Sequence, residues 1–405
     1  MKIVVQKYGG TSLSSPEKRD LVFKQVKRAR DKGYKVAIVV SAMGRNGDPY
    51  ATDTLRTLLL QEYAVIPLRE LDIIMSCGEI ISAGVIAAVL GNNEIPASVF
   101  TGAQAGFLTD GRYSEAEVVD CRPEKILDAL NRDEVPIVTG FQGVDQTGEI
   151  NTLGRGGSDT TAVILGAALK AEMVEIYTDV SGIMTADPVI LQDARVIQQL
   201  TYGEVFQLAY EGAKVIHPRA VEVAMRNNVE VIVRSFGDSD SGTLITGESA
   251  LHDGAYSTRG RSAVTGIAHS LNLIQFLIEF KEPDPLREME IFQKIGEAGV
   301  NIDMISVFPK IKAFTVAEEY SAKVENIINA LGFTYKMENN IAKISVVGVG
   351  MHNIPGVMAS VVRALNKQDI KILQSGDSNI TISLLVKKDD LSRAVKILHD
   401  TFNLG

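Results

Sequence analysis

The residues of this chain whose types and spacing suit chemistry gather in two glycine-rich loops. The first is Asn151 to Ala162, NTLGRGGSDTTA, just ahead of an apolar helical stretch at 163–169. Gly154, Gly156 and Gly157 let the backbone take positive φ and let a ligand approach the main chain closely. Ser158 or Asp159 is placed to cap the helix. Free N–H groups and the positive end of the helix dipole then face the loop, which suits an anion. Arg155 adds a planar fork for a carboxylate or phosphate. The second loop opens the chain: a short strand, KIVVQ (2–6), then Lys7, Tyr8, Gly9, Gly10, Thr11 and Ser12, then Ser15-Pro16 and a charged helix. Pro16 fits a first helical turn. A lysine at a strand end followed by two glycines and two hydroxyl residues reads as a phosphate cradle. It is not a Walker A loop, because the lysine precedes the glycines. Neither loop fits G-x-G-x-x-G, since Asp159 stands at the third position, and a nicotinamide dehydrogenase is disfavoured.

The elements around these loops follow a simple rhythm. Residues 1 to about 240 alternate apolar strands (3–6, 36–41, 97–101, 135–139, 173–178, 229–234) with helical patterns (17–32, 68–90, 124–131, 160–170, 203–211, 219–227). This predicts an α/β fold with a largely parallel sheet sandwiched by helices. Ligands bind such sheets at the carboxyl ends of the strands. Lys7, Ser41, Thr101, Gly140 and Thr178 all stand there and are expected to share one crevice. A polar Gly/Ser-rich linker, 246–262, follows. The chain then repeats itself at a spacing of 70, pairing Pro285 with Pro355, Ile291 with Val361, Ile295 with Leu365, Val300 with Ile370 and Ile302 with Ile372. Each copy reads strand, Pro-containing loop, helix, strand, strand, helix. The second copy lacks a fourth strand, with 371–374 as one of its three. A spare strand at 264–268 is predicted to return and complete it, so the modules interleave and cover an edge. The expected domains are 1–245, then the linker 246–262, a first module at 263–340 and a second at 341–405.

Composition narrows the function. The chain has 405 residues, 45% apolar and 22% charged, as in a globular protein with a real core. A net charge of −9 argues against nucleic acid as partner. Cys77 and Cys121 are far apart and lack a C-x-x-C partner, against a zinc site or disulfide framework. The N-terminus enters a strand directly and no apolar run approaches about 18 residues, so no membrane span and a cytoplasmic location are expected. Five scattered histidines, without H-x-x-x-H, imply that metal arrives with a nucleotide rather than in a protein cage.

Lys7-Tyr8-Gly9-Gly10-Thr11-Ser12, Ser41-Ala42-Met43-Gly44, Gly78-Glu79, LGRGGSDTTA (153–162), YTDVSGIMTADP (177–188) and GAKVIHPRAVE (212–222) together resemble aspartate kinase of the amino-acid kinase family. AKISVVGVGM (342–351) and IPGV (354–357), within the duplicated unit, resemble that enzyme's paired, ferredoxin-like ACT domains. The similarity runs from about residue 3 to the end, with the motifs in the family's order. It is strongest to the monofunctional, diaminopimelate-sensitive isozyme of Gram-positive bacteria, through Asn46 to Asp53 and Ile372 to Ser378.

The resemblance implies transfer of the ATP γ-phosphoryl group to the side-chain carboxylate of L-aspartate, the first step toward lysine, threonine and methionine, with Mg2+ carried by ATP. It implies that Lys7, Asp159 and Lys214 act at the transferring phosphate. Tyr8, Gly9, Gly10, Thr178, Asp179, Met184 and Val215 would complete the nucleotide site. Arg155 would clamp the α-carboxylate of aspartate, Glu79 would meet its α-ammonium, and Thr52, Gly156, Gly157 and Ser158 would close the pocket. Gln374, Ser375 and Asp377 would bind a feedback effector, meso-diaminopimelate first and lysine second. A homodimer through residues after about 262 is expected, with strands 302–306 and 371–374 joining a neighbour's sheet. Met184 stands where the family usually has a tyrosine, and Val189 where it has an arginine, which bears on nucleotide preference. His217 is given no role. Two alternatives stay open: another kinase of the family, acting on glutamate, acetylglutamate or a nucleotide, and an amino-acid sensor that lost the chemistry. The tandem repeat, with KYGGTS and LGRGGSDTT together, argues against the first; the presence of Lys7, Arg155 and Asp179 argues against the second.

Overall fold

The computed structural model describes residues 1–213, 215–236, 242–247, 264–349, 351 and 354–405. Lys214 and nearly all of the expected linker, 248–262, lie outside the described residues. The chain forms two compact units.

The first unit spans Met1–Ile183, Val196–Ala209 and Lys214–Ser257. Its strands are β1 (Ile3–Tyr8), β2 (Lys35–Val40), β3 (Ala97–Phe100), β4 (Phe107–Thr109), β5 (Val118–Cys121), β6 (Val135–Thr139), β7 (Gln142–Val144), β8 (Ile150–Thr152), β9 (Met173–Thr178), β10 (Gln199–Thr201), β11 (Val231–Ser235) and β12 (Thr243–Thr246). Its helices are α1 (Gly10–Leu13), α2 (Pro16–Asp31), α3 (Thr52–Glu62), α4 (Leu68–Asn92), α5 (Glu124–Asn131), α6 (Gly157–Ala168), α7 (Tyr202–Tyr210) and α8 (Pro218–Asn227). The main sheet runs β10-β12-β11-β9-β1-β2-β6-β3 and is parallel except between β11 and β12. Its central strands read as apolar runs because helices cover both faces. Val4, Val36, Ile38, Val40 and Ile137 pack there with Val22 and Val26 of α2 and Ile86 of α4.

A second, four-stranded sheet, β5-β4-β7-β8, was not anticipated. Its strands are three or four residues long, too short to show a period of two. Asp72 of α4 ties it down. This fully buried carboxylate accepts hydrogen bonds from Ser114 N (2.8 Å) and Oγ (2.9 Å), and from Thr152 N (2.8 Å) and Oγ1 (2.9 Å). Thr152 ends β8, so the bond fixes where the glycine loop begins.

Helix α4 also corrects an expectation. Its 25 residues are long and apolar enough to cross a membrane by composition. Within this unit it packs on β3, β6 and β8, and its two buried carboxylates, Asp72 and Glu79, each accept a backbone N–H bond from another element, Asp72 from Thr152 and Glu79 from Ala42. That is how a core helix is built.

The second unit comprises Thr258–Gly405 and two shorter pieces, Met184–Arg195 and Tyr210–Ala213. Its strands are β13 (Gly266–Glu279), β14 (Asp303–Val307), β15 (Ile311–Ala317), β16 (Thr334–Val347), β17 (Gln374–Asp377) and β18 (Thr381–Lys387). Its helices are α9 (Pro285–Glu297), α10 (Ser321–Ala330), α11 (Val357–Asn366) and α12 (Leu391–Thr401). The sheet order is β14-β15-β13-β16-β18-β17. Residues 266–270 pair with 343–347, on the strand that opens the second module, so the modules interleave. They do so through two long strands rather than separate short ones. β13 and β16 each run 14 residues and serve both modules, with irregular register between Ser270 and Gln275 and Asn272 at φ 58°. β17 begins at Gln374, so 371–374 is not the strand expected.

The two shorter pieces come from the part of the chain that sequence rhythm assigned to the sheet domain. Ala186, Leu191 and Ala194 join the core of the second module, with Val361, Leu365, Leu384 and Leu398. Glu211 pairs with Lys343 of β16 at 2.7 Å. The βαβ rhythm follows regular elements and carries no signal for such loop excursions.

Candidate active site

Lys7 is held by two parallel ladders, opposite Val39 on β2 and Ile176 on β9. Strand alternation puts it on the face opposite Gln6 and Tyr8. Its Nζ lies 2.6 Å from Asp159 Oδ1, and both side chains are largely shielded, at 12% and 13% exposure. Asp159 stands in the first turn of α6, so an ammonium and a helix N-terminus converge on one carboxylate. Tyr8 corrects an expectation. Its buried ring stacks on Tyr177, 4.9 Å between centroids, and its hydroxyl donates to Gln6 Oε1 at 2.9 Å. That side chain belongs to the core and is not offered to a nucleotide.

Gly10 is needed for close approach. Gly44 N donates to Gly10 O at 3.0 Å, and a Cβ at Gly10 would lie 2.4 Å from Ala42 O. The loops after β1 and β2 are thereby fused.

The N-cap of α6 is Gly156, in the left-handed region at φ 71°, and not Ser158 or Asp159. A Cβ there would sit 2.2 Å from the His217 ring, so only glycine fits. No side chain caps the helix; Gly157 N donates to Gly154 O at 3.1 Å, and the amides of Ser158 and Asp159 that follow are left for a ligand. Ser158 packs on Gly140, where a Cβ would meet it at 2.7 Å. Arg219 Nη1 holds Leu153 O at 2.9 Å, and Thr161 Oγ1 links Phe141 N (3.1 Å) to Gly157 O (2.8 Å). His217 Nδ1 accepts from Arg219 N at 3.4 Å. Burial lowers the pKa of His217; Asp159 opposes the shift, and Arg219 and Arg155 add to it. Arg155 is exposed and Gly157 is buried.

Glu79 is 2% exposed. Its Oε1 accepts from Ala42 N at 2.9 Å, whereas its Oε2 is buried with no hydrogen-bond partner. Burial pushes its pKa up to about 8 against the pull of the Ala42 amide. An orphaned buried carboxylate oxygen is costly unless a ligand completes it. Gly78 packs against Tyr50 O and Leu55, so the start of α3, with half-buried Thr52, borders α4 beside Glu79.

Thr178 Oγ1 lies 3.2 Å from Asp179 Oδ1, and Asp179 Oδ2 pairs with Arg45 at 2.8 Å. Arg45 was missed; a cation immediately after the Gly44 turn at a strand end was the available signal. Val215 is half-buried, and Lys214 lies outside the described residues. Met184 belongs to the second unit, where it packs on the core of the second module. Its apolar side chain is explained by that packing.

In the second unit, Ser375 and Asp377 line a cavity of about 300 Å3 with Met351, Ile354, Met358 and Ile382. Gln374 is engaged elsewhere. Its amide donates to Met304 O and to Ser306 Oγ (2.9 Å), and its Oε1 accepts from Gln275 Nε2 (2.7 Å). It ties β17 to β13 and β14, so β14 and β17 meet each other within the chain.

Among the described residues no three His, Cys, Asp or Glu side chains gather around one metal position.

The amino acid kinase family profile matches residues 2–235, and an ACT domain profile matches 336–400. Aspartokinase 1 of Bacillus subtilis is 43% identical over 405 residues, covering both chains completely. The aspartokinase of Mycolicibacterium smegmatis is 37% identical, covering all of this chain and 97% of its own. Among solved structures, the Clostridium acetobutylicum aspartate kinase superposes with a TM-score of 0.81 at 24% identity, covering 99% of this chain and 100% of that one.

Proposed function

The chain belongs to the aspartokinase family, and from that premise we propose how its own residues carry out the reaction. The enzyme phosphorylates the side-chain carboxylate of L-aspartate, giving 4-phospho-L-aspartate. The acceptor is ionised at neutral pH, so no general base is required. Catalysis rests on positioning and on neutralising charge. Lys7, aimed by Asp159, meets the transferring phosphoryl group of ATP, and the main chain at Gly9 and Gly10 and the uncapped start of α6 supply N–H groups. Lys214 acts from the other side. Thr178, Asp179 and Val215 hold the nucleotide, with Arg45 keeping Asp179 in place. Mg2+ would arrive with ATP and would supply positive charge against the phosphate groups, beside Lys7 and the main-chain N–H groups. Arg155 takes the α-carboxylate of aspartate and Glu79 its α-ammonium, with Gly156, Gly157, Ser158 and Thr52 closing the pocket. The observation that carries this reading is the 2.6 Å Lys7–Asp159 pair at the head of α6. ATP-dependent aspartyl-hydroxamate formation, with glutamate and acetylglutamate as controls, tests it; activity on either control and not on aspartate would refute it.

Two results are expected at the substrate pocket. Arg155→Lys raises the aspartate KM by roughly tenfold or more, because a point charge cannot replace a bidentate fork. A raised ATP KM with unchanged aspartate KM would move Arg155 to the nucleotide. The second result concerns pH. With its pKa up at about 8, Glu79 is mostly protonated at pH 7 and must ionise to meet an ammonium. The aspartate KM therefore falls about tenfold between pH 7 and pH 9, one unit of pKa being worth about 1.4 kcal/mol. In Glu79→Gln the KM is higher and that slope is gone. An unchanged slope in the variant assigns the titration to another group.

Regulation through the ACT modules, a cytoplasmic location and a homodimer belong to the same proposal. Exposed Ile305, Val307 and Phe308, on and just beyond β14, offer apolar surface for dimer contact. The effector, meso-diaminopimelate or lysine, is placed in the cavity beside Ser375 and Asp377. Asp377→Ala raises the effector concentration for half-inhibition by roughly tenfold, the worth of one charge-assisted hydrogen bond. An unaltered inhibition curve would remove Asp377 from the site.

A further inference from the structure

The spacing of 70 holds in three dimensions. β15 and β18 begin at 311 and 381, the short 3-10 turns at 318 and 388, and the helices after them at 321 and 391. Each residue lining the cavity of the second module therefore has a counterpart in the first. Met358 corresponds to Glu288, Ser378 to Phe308 and Ile382 to Lys312.

Those three counterparts form one cluster. Lys312 is 3% exposed. Its Nζ lies 2.7 Å from Glu288 Oε2 and donates to Phe308 O at 2.7 Å. The same ammonium lies 5.4 Å from the centre of the Phe280 ring. A carboxylate, a carbonyl and an aromatic face are the groups with which a protein receives a ligand ammonium. Burying a lysine head is costly unless it is paired in this way. In the second module the same positions carry an isoleucine, a methionine and a serine, and the space is open.

We infer that the first module is self-occupied: the Lys312 ammonium, tethered by its own side chain, fills the place where the second module takes a free amino acid. This rests on reading the second cavity as the effector site. Each chain then binds one effector molecule rather than two.

Two measurements on the full chain decide it. Equilibrium binding of meso-diaminopimelate, L-lysine and L-threonine is expected to give at most one molecule per chain, in the wild type and in Lys312→Met alike. Two molecules per chain, or loss of binding in Lys312→Met, overturns the inference. The second measurement needs no effector. Lys312→Ala vacates the ammonium position, and added ethylammonium should raise its Tm while leaving the wild type and Lys312→Ala/Glu288→Ala unmoved. Equal shifts in all three overturn the inference. Should none of the amino acids bind the wild type while ethylammonium rescues Lys312→Ala, the effector reading of the second cavity fails and the self-occupied first module stands. Should Lys312→Ala not fold, the stoichiometries of the wild type and Lys312→Met decide.

Discussion

Lys7→Ala lowers kcat by about 100- to 1,000-fold, the usual cost of removing one preorganised donor to a developing negative charge. The aspartate KM stays within a factor of about three. Lys7 is not a flexible surface cation. Its backbone is paired on both sides within the sheet, its side chain is 12% exposed, and Asp159 receives its Nζ at 2.6 Å. Such a group is poised before substrate arrives, so its interaction with the phosphoryl group needs little reorganisation. The effect falls on kcat because charge on the transferring group is met most strongly in the transition state. Asp159→Asn keeps the shape but loosens the aim of Lys7, and should lower kcat by less than Lys7→Ala. Steady-state kinetics with ATP and aspartate varied independently checks both. Near-normal turnover in Lys7→Ala, or a change confined to KM, would remove Lys7 from the phosphoryl site.

The core of this site was legible because its signals are local. A lysine near a strand end followed by two glycines, and a helix that begins at the last of three more, can be read from a few residues each. The sheet was legible because parallel strands buried on both faces appear as continuous apolar runs. What escaped depends on contacts distant in sequence. Gly156 was read as a loop glycine, yet it is the cap of α6 because the His217 ring, 61 residues on, leaves no room for a Cβ. Tyr8 follows Lys7 in sequence but faces away from it, since neighbours on a strand point to opposite faces. Asp72 looks like a helix-surface acid until Ser114 and Thr152 are brought to it by a sheet too short to predict. Gln374 was read by resemblance as an effector contact, but its three hydrogen bonds go to Gln275, Met304 and Ser306.

Lys343→Met should destabilise the second unit by about 3–5 kcal/mol, the cost of breaking a buried ion pair by removing one of its members. Lys343 is 4% exposed on β16 and meets Glu211 Oε2 at 2.7 Å and Asp303 Oδ2 at 2.5 Å. Glu211 is itself 4% exposed, and Ser345 Oγ donates to the same oxygen at 2.5 Å. Asp303 is half-exposed and can turn to water, but Glu211 cannot. Burial works to lower the Lys343 pKa, yet attraction to Glu211 and Asp303 prevails and the pKa is raised. A raised pKa means that the pair's contribution is complete below the unfolded lysine value of about 10.4 and fades only above it. The deficit of Lys343→Met should therefore be constant from pH 6 to about pH 9. It should also persist in high salt, because a desolvated pair is poorly screened. Lys343→Met/Glu211→Met removes both charges and should regain most of the loss, since two apolar groups can replace a buried pair at little cost. Denaturant unfolding followed by a probe in residues 264–405 measures each variant. A single variant within about 1 kcal/mol of the wild type, or a double variant no better than the single, would show that Glu211 is solvated in solution.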